Sequence, residues 1–293
     1  MDDIATDGER PLWSRFADFP LVAMFVAVAF FLMAARLGFY LRQFVSAGQP
    51  ATTMIHAAIT LTLTLLAYKL AITRLGEHPR DDLRGMGALP DLGKGLASGA
   101  IIFSTIVAVA AVIGVYRVTG RGSASDLLLP IVTSAIMPAF MEEILFRGIL
   151  FRWIEEFGGS WAALLVRSAL FGMAQILNPG ATWFSSFAIA VEAGLLLGGV
   201  YMLTRSLWMP IGLHAAWNFV QGAVFGVPVS GSPSTGLLRS TLNGPVLLSG
   251  GSFGLEASLI AVTVATAAGF YFIWLAIKRG EFMQPWWTRR SNS

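Results

Sequence analysis

The chain has 293 residues, of which 55% are hydrophobic and 13% charged, with mean hydropathy +0.68 and net charge +3. A soluble domain of this length carries far more charge, so the composition excludes that class and points to a polytopic membrane protein. The absence of cysteine excludes disulfides, thiolate metal sites and a cysteine nucleophile, and the basic balance reads as Arg and Lys in cytoplasmic loops rather than as a nucleic-acid surface.

The first residues, MDDIATDGER, are acidic, and no small-residue cleavage pattern follows the first apolar run. That run is therefore expected to be a retained span. Residues 1–19 form an N-terminal segment. Its stretch PLWSRFADFP sets Trp13, Phe16 and Phe19 beside Arg10 and Arg15, as either an interfacial segment or a disordered tail.

Eight spans follow, at 20–42, 51–73, 95–117, 127–150, 160–177, 182–203, 207–227 and 254–277, each about the 20 residues a bilayer requires. Lipid leaves backbone groups no outside partner, so the runs are helices and the fold class is an all-α membrane bundle. Residues 20–279 make one membrane domain, and 280–293 a cytoplasmic tail in which Trp286 and Trp287 beside Arg289 and Arg290 suit an interfacial anchor. One set of loops carries Arg10, Arg15, Arg74, Arg80, Arg84, Lys94, Arg152, Arg205, Lys278, Arg279, Arg289 and Arg290; the other carries Arg42, Arg117, Arg121 and Arg239. The first set is cytoplasmic by the positive-inside rule, which puts both termini inside. The Gly-, Ser- and Pro-rich loop 228–252 is the longest outer connection and is expected to fold back over the bundle.

The fourth span carries IMPAFMEEILFRGIL, with Glu142, Glu143 and Arg147 inside an apolar run. A central acid or Arg costs roughly 2.5–3.5 kcal/mol to insert, and intramembrane charges mark function by default. Glu143 and Arg147 are four apart and share a face, so they pair. Glu142 is turned about 100° away by the helix pitch, left as a candidate general base. Pro138 removes a backbone donor one turn earlier and bends the helix. The structural alternative is that all three charges stitch helices together or face headgroups.

The fifth span ends in FGMAQILNPGAT, with Phe171 and Gln175 four apart and Asn178-Pro179-Gly180 as a helix stop. By itself Gln175 reads as a hydrogen bond between helices. The seventh span carries GLHAAWNF, where His214 and Asn218 share a face. A ring N–H and a carboxamide N–H side by side suit an oxyanion; taken alone, the pair reads equally as helix packing. Glu192 lines the same cavity or contacts Arg167. Lys69 snorkels from a span end. His56 is a helix contact and His78 a solvated loop residue. Gly194, Gly198 and Gly199 suit close helix packing.

Taken together, Glu-Glu-x-x-x-Arg, Phe-x-x-x-Gln and His-x-x-x-Asn, in that order on successive apolar helices, resemble the CPBP family of intramembrane proteases. These are the type II CaaX prenyl endopeptidases and their bacterial abortive-infection and bacteriocin-processing relatives. The resemblance runs from about Met137 to Glu256, within a core of about 127–256, and implies a bacterial inner membrane. It implies Glu142 as the base that activates water, Glu143 with Arg147 as a supporting ion pair, and His214 with Asn218 as the oxyanion-stabilising pair. Peptides, membrane proteins and lipid are the implied partners. The family's second motif ends in His, and here Gln175 stands there. A glutamine orients water but does not titrate, and it is a poor zinc ligand. The family's zinc label is therefore disfavoured, and no cofactor is expected. The reading is an intramembrane glutamate-dependent endopeptidase with Gln175 positioning water. The alternative is a catalytically impaired scaffold that binds a peptide or lipidated partner. A transporter built on the same charges lacks an inverted repeat.

Overall fold

A computed structural model describes residues 18–76, 80–125 and 127–290. The expectations for residues 1–17 and for His78 fall outside the described residues. The chain is a helical membrane bundle, with six helices among the described residues long and apolar enough to cross a bilayer. These include α1 (Pro20–Leu41), α2 (Ala51–Arg74) and α3 (Ala88–Val112). The expected fourth and fifth spans are one continuous run, α4 (Leu128–Gln175), broken into two limbs at Gly159. There φ is 80° and ψ 173°, a conformation open to glycine and strained for other residues. α5 (Trp183–Thr204) and α7 (Leu259–Lys278) complete the six. Between them α6 (Trp208–Asn218) has 11 residues and continues as six residues of π-helix to Val224, which is too short to count among them.

The third span begins and ends earlier than its apolar run suggests. α3 stops at Val112, and Tyr116–Arg121 forms a strand, β1. It pairs antiparallel with β2 (Leu238–Leu242), Tyr116 facing Leu242 and Arg121 facing Leu238. Tyr116 donates from its hydroxyl to the Phe225 carbonyl at 3.0 Å, which ties this sheet to the end of the α6 extension. Loop 228–252 thus does fold back over the bundle.

The close approach of α3 and α6 fixes where the His-x-x-x-Asn face sits. A Cβ on Gly95 would stand 2.1 Å from the Met209 carbonyl oxygen, and one on Gly99 2.2 Å from that of Leu213. Only hydrogen fits there, so the two backbones touch along the turn preceding His214. On α5, Gly199 meets Gly269 of α7 in the same way. The end of the chain docks on the kink: the Ser160 amide donates to the Met283 carbonyl at 3.0 Å, and the Met283 amide to Ser160 Oγ at 2.9 Å. The tail is therefore packed as far as its short helix, α8 (Trp286–Arg290), where Trp287 meets Phe157 edge-on. Lys69 pairs with Asp81 at the end of α2.

Candidate active site

The first limb of α4 is not a uniform α-helix. Ile131–Ile136 and Ile144–Phe151 are π-helical, and the α-helical turns Met137–Glu143 lie between them. Such widened turns concentrate at functional sites. Pro138 explains part of this. It has no N–H to reach back to the Ser134 carbonyl four residues earlier, and its ring crowds that carbonyl. Asn218 Nδ2 donates to Ser134 O at 2.9 Å, which satisfies the oxygen from another helix.

Glu143 and Arg147 are fully buried, and Arg147 Nη1 donates to Glu143 Oε1 at 2.8 Å, the pair that the four-residue spacing requires. Arg147 Nη2 donates to the Ala193 carbonyl at 3.0 Å, and its guanidinium lies 5.1 Å from the centre of the Phe171 ring. Phe171 of the second motif thus covers the cation, with Phe146 edge-on to it at 4.8 Å. Glu143 does more than hold Arg147: the same Oε1 lies 2.9 Å from His214 Nδ1. A carboxylate only accepts, so Nδ1 carries the hydrogen. His214 Nε2 points the other way, 4.0 Å from Glu142 Oε2. That is too long for a hydrogen bond and leaves Nε2 available to a third group. Glu142 is 32% exposed where Glu143 is wholly enclosed, so Glu142 is the carboxyl that meets the cavity.

Glu142, Gln175, His214 and Asn218 line one cavity of about 210 Å³. Glu143 and Arg147 stand directly behind it. All six residues singled out in the sequence are therefore brought together. Gln175 is committed on one side, its Oε1 accepting from Asn178 Nδ2 at 2.5 Å, so its amide nitrogen is the group left for the cavity. The loop after α6 covers part of it. Val229, Ser230 and Ser232 line the cavity, and Gly231 lies so close to Pro179 that a Cβ would overlap its carbonyl oxygen.

Two readings of single residues are decided by packing. Glu192 lines the cavity and makes no ion pair with Arg167 among the described residues; Arg167 donates to the Gly194 carbonyl instead. His56 is a helix contact. Its ring is edge-on to Phe39, centroids 6.4 Å apart, and it is not among the described residues lining the cavity. Glu256 was not singled out, yet it lines the cavity and accepts a hydrogen bond from the Ser230 amide. Its signal was an acid in the glycine-flanked apolar stretch GGSFGLEASL, easily taken for the margin of the last span.

Residues 124–220 match the family described as type II CAAX prenyl endopeptidase Rce1-like, which agrees with the resemblance carried by the three motifs. The match covers less than half of the chain, includes all three motifs, and ends before Glu256. No curated protein and no solved structure matches the chain.

Proposed function

We propose that this integral membrane protein is an endopeptidase that hydrolyses peptide bonds at or within the membrane, with Glu142 as general base. The observation that carries this reading is the shared cavity of Glu142, Gln175, His214 and Asn218 in a segment matching a prenyl endopeptidase family. Glu142 takes a proton from a water that the Gln175 amide helps to place. The water oxygen bonds to the peptide carbonyl carbon, and the carbonyl oxygen becomes an oxyanion. His214 Nε2–H and the second N–H of the Asn218 carboxamide donate to it. Because Nδ1–H is already held by Glu143, Nε2 donates only when the ring carries both protons. The same imidazolium, or the newly protonated Glu142, then passes a proton to the nitrogen as the C–N bond breaks.

The donor set supports a metal-free route. Among the described residues no three His, Cys, Asp or Glu side chains converge as metal ligands. Gln175 occupies the place of a second histidine, and His214 Nδ1 is committed to Glu143. We assign the cavity mouth to the outer face, with both termini cytoplasmic. The cavity is lined by the start of α4, by Asn178 and by loop 228–232, which lie at the end of the bundle opposite the Arg-rich loops.

The test is cleavage of a library of membrane-proximal peptides by the protein in liposomes, read by mass spectrometry. Cuts that Glu142→Ala abolishes are the expected result. If nothing is cut and Gln175→His creates activity, the protein is a scaffold on a protease fold.

A further inference from the structure

The cavity has a second acidic end that the hydrolytic step leaves unused. Glu192 is 2% exposed and lines the cavity. Its Oε2 is buried without a hydrogen-bond partner, and no ion pair reaches the residue among the described residues. Glu256 lies within electrostatic reach of both Glu192 and His214. One of its oxygens is held by the Ser230 amide. Like-charged carboxyls facing one space repel unless a cation or a proton stands between them. Among the described residues no Lys or Arg lines this cavity, and Arg167 donates to the Gly194 carbonyl. Apolar side chains, including Leu196, Leu197 and Trp217, line the same cavity. Apolar walls together with the unpartnered Glu192 oxygen are the complement of an aliphatic stem with a charged tip.

We propose that Glu192 and Glu256 form a subsite for a lysine or arginine side chain of the substrate, whose docking there brings a neighbouring peptide bond to Glu142. The cation supplies the N–H donors that Glu192 lacks, and the leucine and tryptophan walls cover its methylenes. A peptide with a basic residue beside an apolar segment is then the substrate class, a composition common where a transmembrane helix leaves the bilayer. The subsite rests on the endopeptidase reading for its role in catalysis, while the binding itself stands apart from it.

The experiment uses pairs of membrane-anchored peptides that differ only by lysine or norleucine at one position near the cut bond. On the wild-type protein in liposomes, one position should show at least about a tenfold preference for lysine, since a buried charge pair is worth at least that. Glu192→Gln and, separately, Glu256→Gln should bring the lysine-to-norleucine ratio to about one; the ratio is insensitive to a general loss of active protein. The same pairs are titrated onto the Glu142→Ala protein as a binding measurement. If nothing is cut but lysine binding is favoured and Glu192→Gln removes the preference, the subsite stands and the hydrolytic reading falls. If peptides are cut with no preference for a basic residue, or the preference survives both substitutions, the subsite is overturned and hydrolysis stands. If there is neither cutting nor a lysine preference in binding, both fall.

Discussion

Asn218 donates to the carbonyl oxygen of Ser134 at 2.9 Å, the oxygen that Pro138 leaves without its helical partner. One imino acid in α4 thereby creates the acceptor that positions a side chain of α6. Pro138→Ala should restore the α-helical bond and compete with Asn218 for that oxygen. We expect cleavage to fall by about 10-fold or more while thermal stability is unchanged or higher, since the helix gains a donor. Turnover and melting measured on the same preparation check it; parallel loss of both would mean that the bend serves folding alone.

Glu142 and Glu143 should behave oppositely although they are adjacent. Glu142→Gln removes the base and should abolish cleavage while leaving stability equal or raised, because it removes a charge from an apolar span. Glu143→Gln leaves Arg147 and His214 without their shared carboxylate. Breaking one side of a buried pair costs about 3–5 kcal/mol, so a large drop in melting temperature is expected. Glu143→Gln combined with Arg147→Met should be less damaged than Glu143→Gln alone. A double variant weaker than the single would show that the pair is not the source of the loss.

Gln175→His places a titratable group on the wall of the cavity that Glu142 also lines. General acid–base assistance contributes about 10²–10⁴-fold, and an increase toward that range in cleavage rate is expected. The pH profile of the variant should differ in shape from that of the wild type, because a second imidazole titrates in the cavity. No gain would mean that the glutamine already places the water as well as a histidine does.

Glu256 lies outside the membrane-crossing helices, in the 3₁₀ turn before α7. Burial pushes its carboxyl up to about 7, against the Ser230 amide, which favours the charged form. Glu192 and His214 are the ionisable groups that face it. A raised carboxyl means that the folded state holds its proton where the unfolded chain has released it, so stability falls as pH rises from about 4.5 to about 7. Glu256→Gln is neutral throughout. Melting in detergent should therefore drop less for the variant than for the wild type between about pH 5 and about pH 8. The lysine preference should weaken below about pH 7 as Glu256 takes up its proton. An identical pH slope in both proteins would contradict the burial of this carboxyl.

Single cysteines can be placed without background, because the chain has none of its own. Ser123→Cys, between β1 and α4, should react with an impermeant maleimide from outside intact cells. Gly85→Cys, between α2 and α3, should react only after permeabilisation. The reverse pattern would turn the cavity mouth to the cytoplasm.

Hydropathy and i,i+4 spacing are local properties, and they sufficed for the all-α membrane class, for the Glu143–Arg147 pair and for setting Glu142 apart from it. The motifs make the grouping of six residues legible in the sequence itself. What spacing does not contain is the distance between helices. That His214 shares the Glu143 oxygen with Arg147 depends on how closely α6 approaches α4, and α6 is in turn held against α3 by the bare faces of Gly95 and Gly99. The strand Tyr116–Arg121 was hidden at the end of an apolar run because its partner, β2, is more than a hundred residues away, and strand pairing is decided by that partner. Glu256 entered the cavity for the same reason. Its own neighbours mark an acid at the edge of an apolar run but not what it faces, and only the fold of the loop after α6, with Gly231 against Pro179 and Ser230 on the carboxyl, carries it there. Local chemistry in the sequence determined which charges the membrane must accommodate; the tertiary packing decided which of them face one another across a cavity.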